Sequence, residues 1–346
     1  MRLARYILTM ALLGTMLTSF IHAEEKEMPG CKETTKEVGA AAAPDAALNV
    51  HFLDVGQGDS ILVEPEGSGG NLLIDGGMHG SGEEIIDYLE EENIDTLEWV
   101  VATHPDVDHI GGLIKVLEEI DVKNVLDSGK EHTTKTYQKY LELMDEQDIP
   151  VVKAEAGEYL DTQVAEVQIL NGYHDSDVIN KSSIVLHLTY GETKVLLTGD
   201  AAIENEVEMM EKYDVESDLL KVGHHGADTS TSAQFVEAVD PETAFLSYGE
   251  NDYGHPSENV VKTLKEAGVE LYSTYESGNI EVSLHPQGLN VPEAEPWNGD
   301  GKEDTGNSDT IDEIRLDTIC GQEGSFETIH GRSAGGGIGR SPSCRR

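Results

Sequence analysis

The chain is 346 residues long, 38% hydrophobic, and carries 67 acidic against 23 basic residues for a formal net charge of -44. That length holds one large domain or two small ones. The charge excludes a general nucleic-acid-coating role, which needs a basic footprint. Such a surface repels itself in dilute buffer and tolerates salt, where screening acts over roughly 3 Å at 1 M. A salt-rich source and a generally acidic secreted protein both fit it.

Met1-Arg2-Leu3-Ala4-Arg5 is a basic start, residues 6–20 are an apolar run, and Ile21-His22-Ala23 precedes Glu24-Glu25 as a small-residue cleavage site. This is the pattern of a signal peptide over 1–23, too short in its apolar run for a ready membrane span. The protein is therefore expected to be secreted or extracytoplasmic, with an uncleaved N-terminal anchor as the alternative and no stable membrane partner beyond that segment. Residues 24–47 read as a linker. Cys31, Cys320 and Cys344 lie outside the central body and form no zinc-knuckle spacing.

From residue 48 the pattern is that of a folded body. Strands are expected over 50–54, 60–63 and 71–74, with turns at 55–59 and at Asp75-Gly76-Gly77, then a helix over 82–92. The apolar strand 97–103 runs directly into His104. Helices follow at 112–120 and 134–147, with strands at 122–126 and 149–153. Hairpin strands come next at 158–170, 182–190 and 194–197. Helices at 203–212, 231–239 and 257–267 alternate with strands at 219–222, 244–248, 269–274 and 279–285. Two successive halves of this kind give an α/β fold with two sheets face to face and helices outside, an αββα four-layer sandwich over 48–288. Residues 289–346 read as an acidic linker and a disordered tail, since they are Pro- and Gly-containing and then Gly- and Arg-rich.

His104, Asp106, Asp108 and His109 offer four candidate metal ligands within six residues, after an apolar strand and before Gly111-Gly112. A loop at a strand's end aims several ligands at one point, and glycine lets the backbone pass close to it. A helix cap at Asp108 would explain only one of the four. Gln57 and Asp59 fit either the lining of this site or turn residues bonding their own backbone. His187, in an apolar strand, reads as a packed residue rather than a ligand.

The segment from Thr103 to Gly112 resembles the His-x-His-x-Asp-His signature of metallo-β-lactamase-fold proteins, with Asp106 in place of the second histidine. That variant resembles the extracytoplasmic hydrolase-like domain of ComEC-type competence proteins. Further blocks match in order: Leu53 to Asp59, Leu73 to Gly77, Asn180-Lys181-Ser182-Ser183, Leu197-Thr198-Gly199-Asp200, Lys221 to Gly226, and Tyr253-Gly254-His255-Pro256. The resemblance runs from about 48 to 284. It implies that His104 and Asp106 hold one metal, that Asp108 and His109 hold a second, and that Asp200 bridges them. One of His224 and His225 would complete the second site. Adjacent residues at a strand end point to opposite sides, so only one of them binds; His225 is favoured, with His224 behind the ligands or in contact with substrate. Asp75 would orient a ligand histidine, with Asp59 and Asn180 behind the ligands; Asn180 stands near where another histidine would be.

Asp106 makes the first site oxygen-rich, which moves preference toward Mn²⁺ or Mg²⁺ and away from strict Zn²⁺. One or two divalent ions, Zn or Mn, are expected. Two ions about 3.5–4 Å apart hold a hydroxide at lowered pKa and polarise the scissile group. Asp108, His224 and His255 are the expected catalytic residues, although a structural loop histidine explains His255 equally well. Three functions follow: cleavage of phosphodiesters, as a phosphodiesterase or a nuclease acting on DNA; hydrolysis of a small ester, lactone or thioester; and a non-catalytic metal-binding module. The net charge counts against the first, and the joint presence of all the ligands counts against the third.

Overall fold

The computed structural model describes residues 46–67, 70–291 and 294–299. The expected signal segment, the linker up to residue 45, all three cysteines and the tail from 300 lie outside these described residues.

In the first half, β1 (Leu48–Phe52), β2 (Ile61–Pro65) and β3 (Leu72–Ile74) lead to α1 (Ser81–Glu91). The run expected as one strand over 97–103 splits into β4 (Thr96–Leu97) and β5 (Trp99–Ala102). Then come α2 (Val107–Ile110), α3 (Leu113–Glu119), β6 (Asp121–Val122), β7 (Val125–Asp127), α4 (Lys135–Glu146) and β8 (Val151–Lys153). In the second half, β9 (Glu166–Asn171), β10 (Val185–Tyr190) and β11 (Thr193–Leu197) form antiparallel pairs. After them α5 (Ile203–Lys212), α6 (Ala233–Val239) and α7 (Glu258–Glu266) alternate with β12 (Leu219–Lys221), β13 (Thr243–Leu246) and β14 (Glu270–Ser273). A short α8 (Thr274–Ser277) precedes β15 (Ile280–His285) and β16 (Gly288–Asn290).

The strands build an eight-stranded sheet, β16-β15-β1-β2-β3-β5-β7-β8, and a six-stranded sheet, β14-β13-β12-β11-β10-β9. Strand alternation sorts their side chains into three cores. Leu48, Val50 and Phe52 of β1 meet Leu186, Leu188 and Phe245 of the second sheet between the sheets. There Phe52 stacks on Phe245 at 4.3 Å and Phe245 on Tyr272 at 5.1 Å. Val100 and Val125 face the other way, against Ile85, Leu117 and Tyr140 of α1, α3 and α4. Leu196 and Leu220 face Met209, Phe235 and Leu264 of α5, α6 and α7. Three apolar layers between four structural layers are the αββα sandwich, in which β5 is buried on both faces.

The helices start where the sequence places short polar caps. Thr134, Ser232 and Ser257 each accept the backbone N–H three residues on. Within each sheet the parallel strands share a direction: β3 with β5 and β7, and β11 with β12 and β13. The loops leaving β3, β5, β11, β12 and β13 hold the candidate site. Loops beyond the carboxyl ends of parallel strands are where open α/β sheets bind ligands.

Candidate metal centre

His104 is the second residue after β5 and is 1% exposed. Its Nε2 lies 3.6 Å from Asp106 Oδ2 and 3.8 Å from Asp200 Oδ2. The following residues form α2, a short helix inside the motif that the hydrophobic pattern does not show. Asp106 is its N-cap yet makes no side-chain cap bond, so its carboxylate stays turned toward His104. Asp108 lies within α2 and is not a cap. One turn of helix thus carries Asp108 and His109 into the site together. Gly58 lets the neighbouring loop approach: a Cβ there would sit 2.4 Å from the Asp108 carbonyl oxygen.

Three buried imidazoles are oriented alike. His109 Nδ1 donates to Asp75 Oδ2 at 2.7 Å. Thr103 Oγ1 also donates to Asp75 Oδ2, at 2.6 Å, which leaves the hydroxyl oxygen to accept from His104 Nδ1 at 3.1 Å. His225 Nδ1 donates to the Ser247 carbonyl at 2.9 Å. Each ring therefore turns its Nε2 toward Asp200, at 3.4 Å from Oδ1 for His109 and 3.7 Å for His225. His225 Nε2 is also 3.5 Å from Asp108 Oδ2. Metal-binding histidines are held in this way, by a second partner on the other ring nitrogen.

Among the described residues, the Nε2 atoms of His104, His109 and His225, with Oδ1 of Asp59 and Asp200, are buried without a hydrogen-bond partner. Buried polar atoms are normally satisfied, so this convergence of nitrogen and carboxylate donors fits a cation. Two ligand-type groups stand out, His104 with His109 and Asp200, and Asp108 with His109 and His225, each within 4.8 Å. His109 lies in both.

Two backbone features put the remaining rings in place. The residues Gly223–Gly226 form a 3-10 turn in which His224 and His225 have φ of 48° and 53°. The strand alternation used to choose between them does not apply, and both rings reach Asp200; His224 Nε2 is 3.5 Å from Oδ2. Such left-handed non-glycine residues cost about 1–3 kcal/mol each. Asn180 Nδ2 donates to Asp200 Oδ2 at 3.3 Å and lies 3.4 Å from His224 Nε2. His255 stands outside this group, its ring 5.4 Å from His224 and 6.5 Å from His225, with Tyr253 stacked on it at 5.7 Å. Tyr253 is 75% exposed and marks the mouth.

Lys221 was given no role by the sequence pattern and is fully buried. Its ammonium is 2.9 Å from Asp59 Oδ2, and Asp59 Oδ1 is 3.3 Å from His225 Nδ1. Asp59 is therefore a buried partner of the site rather than a turn residue bonding its own backbone. The signal was present: a lysine inside the apolar strand Leu219-Leu220-Lys221 must be paired. Gln57 has the smaller part of accepting from Gly249 N at 3.4 Å. Asn251 ties the far loop, accepting from His255 N and donating to its carbonyl. His187 Nε2 donates to the Glu216 carbonyl at 3.2 Å and lies 3.1 Å from Ser217 Oγ, away from the centre.

In the metal-free protein, opposite charges fix these protons. Burial works to lower His109 and His225, but Asp200 and Asp75 hold His109 well above its ordinary value, and Asp200 and Asp59 push His225 up to about 10. Burial works to raise Asp108, but the His225 hydrogen bond and His109 bring it down to about 2. His224 and His255 are lowered by burial, His255 also by its histidine neighbours.

Comparison with known proteins follows the same outline. A family model described as Metallo-beta-lactamase superfamily matches residues 53–250. The chain is 31% identical over 252 residues to ComE operon protein 3 of Bacillus subtilis, covering 67% of this chain and 32% of that protein. It is 30% identical over 259 residues to Recombination protein 2 of Haemophilus influenzae, covering 72% and 31%. The chain thus spans about a third of the length of these relatives. Among solved structures it is similar to a metallo hydrolase from the archaeon Ignicoccus hospitalis, at 14% identity and a TM-score of 0.47, over 68% of this chain and 98% of that one.

Proposed function

The chain belongs to the metallo-beta-lactamase superfamily, and from that premise we propose that it is a metal-dependent phosphodiesterase acting outside the cytoplasm, with a nucleic acid as its substrate class. The observation that carries the reading is the cluster of partnerless buried atoms: Nε2 of His104, His109 and His225 with Oδ1 of Asp200. These residues, with Asp106 and Asp108, would hold one or two divalent ions, Zn or Mn. Such ions supply Lewis-acid polarisation of a phosphoryl oxygen and a water of lowered pKa.

The chain's own groups do the rest. Asp75, Thr103 and the Ser247 carbonyl fix the ligand rings, so no reorganisation is needed when ions load. Asp106 offers oxygen where an imidazole would stand, and hard oxygen donors suit ions used in phosphoryl chemistry. Asn180 and His224 sit side by side at Asp200 with N–H groups for a substrate oxygen. His255, at the mouth with its ring 5.4 Å from His224 and kept neutral by burial, would offer a ring N–H to the departing oxygen. The relative named for recombination favours DNA.

An outside location rests on the N-terminal pattern of residues 1–23; among the described residues no helix is long and apolar enough to cross a membrane. A second reading, hydrolysis of a small ester, lactone or thioester, is favoured by one observation, the net charge of -44 that repels a polyanion. The test is cleavage of bis-p-nitrophenyl phosphate by metal-stripped protein after adding Mn²⁺, Zn²⁺ or Mg²⁺. Turnover that needs metal and vanishes in Asp200→Ala supports the phosphodiesterase; turnover of p-nitrophenyl acetate alone supports the second reading.

A further inference from the structure

Outside the metal centre, a cavity of about 310 Å³ opens beside β8, β9 and α5, lined in part by Lys153, Tyr173, His174 and Lys212. Its lining carries Lys153 and Lys212 together with Glu155 and Glu208. Residues 46–299 contain no arginine, and Lys115, Lys123, Lys139, Lys181, Lys194 and Lys212 each lie within 4 Å of a carboxylate. Lys130 and Lys153 instead converge on one aromatic ring. The Lys153 ammonium is 3.7 Å from the Tyr173 centroid and that of Lys130 is 5.8 Å away.

Both lysines are held in place. Lys130 Nζ donates to the Ser176 carbonyl at 2.5 Å. The stem of Lys153 runs over Gly129, whose φ is +74° and where a Cβ would sit 2.5 Å from Lys153 Cε. Asp127, which feels the Lys153 charge, has both oxygens engaged elsewhere, with Gly129 N at 2.6 Å and Tyr140 Oη at 3.0 Å. Glu208 is taken by Lys212 at 3.1 Å. Tyr173 keeps 41% of its surface exposed.

The cluster is tied to the metal centre by one loop. His174 N donates to Ser182 Oγ at 2.9 Å, and Ser182 Oγ donates back to the His174 carbonyl at 3.2 Å. Ser182 shares the 3-10 turn Ile179–Ser182 with Asn180, whose amide reaches Asp200. Chain geometry then puts Tyr173 and Asn180 no more than about 15 Å apart. Ser183, next along, has Oγ 3.3 Å from His104 Nδ1.

Resting on the phosphodiesterase reading, we propose that Lys130, Lys153 and Tyr173 form a subsite for one nucleotide unit of a single-stranded nucleic acid whose scissile phosphate lies at the metal centre. The two ammonium groups take a phosphate, and Tyr173, 41% exposed beside them, packs against the base. A simple anion would need no ring, and an apolar ligand would not select two lysines that have no carboxylate within 4 Å among the described residues. A ring flanked by cations is how single strands are held, by stacking and charge together. The stacking contribution survives salt, which suits a site on an acidic surface.

The test is fluorescence anisotropy of the metal-stripped full chain with a labelled oligothymidylate of about 12 nucleotides, over a salt series. Tyr173→Ala is expected to weaken binding roughly 5- to 100-fold, and Tyr173→Phe to restore it. Lys130→Met and Lys153→Met are each expected to move the slope of log affinity against log salt by about 0.7. Metal-dependent turnover of bis-p-nitrophenyl phosphate should stay at the wild-type level in all of them. No oligonucleotide binding by the wild type, or binding and slope unchanged in every variant, overturns the subsite. Binding with these dependences but no phosphodiester cleavage upholds the subsite and removes the phosphodiesterase reading. Cleavage of the oligonucleotide with all variants unaffected does the reverse.

Discussion

The middle of the sandwich and its carboxyl edge are built from the same strands and obey opposite rules. At the middle, Phe52 and Phe245 stack between the sheets with Tyr272 beside them, its hydroxyl donating to Glu270 Oε2 at 3.1 Å. A few residues further along the same direction, β5 and β12 deliver His104 and His225 into a cluster of buried carboxylates and imidazoles. The middle gains stability from buried area. The edge spends some of it, on left-handed backbone at Asp75, His224 and His225 and on polar atoms without partners. Such an expense persists where a ligand repays it.

The sharpest way to separate the two regions is to remove a ligand that stability does not depend on. Asp108 is 26% exposed at its side chain, so Asp108→Ala should abolish metal-dependent hydrolysis while the thermal unfolding midpoint of the metal-free protein stays near wild type. In the middle, Phe52→Ala should cost about 3–5 kcal/mol in a denaturant titration and leave metal affinity of the folded protein unchanged. Lys221 tests whether the edge contains its own structural pair. Lys221→Met strands the buried Asp59 carboxylate and should cost about 3–5 kcal/mol, and adding Asp59→Asn should recover part of that loss. Asp75→Asn should weaken metal binding roughly 10- to 100-fold with little change in stability, because it loosens His109 without removing a ligand.

A further effect, confined to acid pH, lies on the outer face of the first sheet. Burial lowers His51 to about 4, although Glu64 stands 3.2 Å from its Nε2; at 1% exposure, burial governs. The unfolded chain then binds a proton between pH 6.5 and 4 that the folded chain refuses, so His51 lowers stability as pH falls through that window and has no effect above it. His51→Phe should flatten that part of the stability profile, as read by urea unfolding at a series of pH values.

The same contrast explains what could be read in advance. The middle was legible because strand and helix periodicities are local: β10, β11, α5 and α7 lie where alternation and helical spacing put them. Three expected strands are exceptions: 97–103 divides into β4 and β5, 122–126 into β6 and β7, and of 158–170 only Glu166–Asn171 is a strand, with Tyr159 bridging to Gln168 ahead of it. The edge was legible as a set of ligand types in one motif, and less so as geometry. α2 is a single turn, too short for a period to show. The turn at 223–226 depends on left-handed backbone, which the pair His224-His225 does not announce. The Lys221–Asp59 pair joins residues 162 apart, and only a charge placed in an apolar strand hints at it.

The most direct test is calorimetric titration of the metal-stripped full chain with Zn²⁺ and Mn²⁺, in buffers of different ionisation heat. Loading must displace the protons that carboxylates now hold on His109 and His225. One or two equivalents should bind, with proton release and with affinity that weakens as pH falls, and Asp108→Ala should lose at least one equivalent. No saturable binding, or binding indifferent to both pH and Asp108, would contradict a metal centre at this edge.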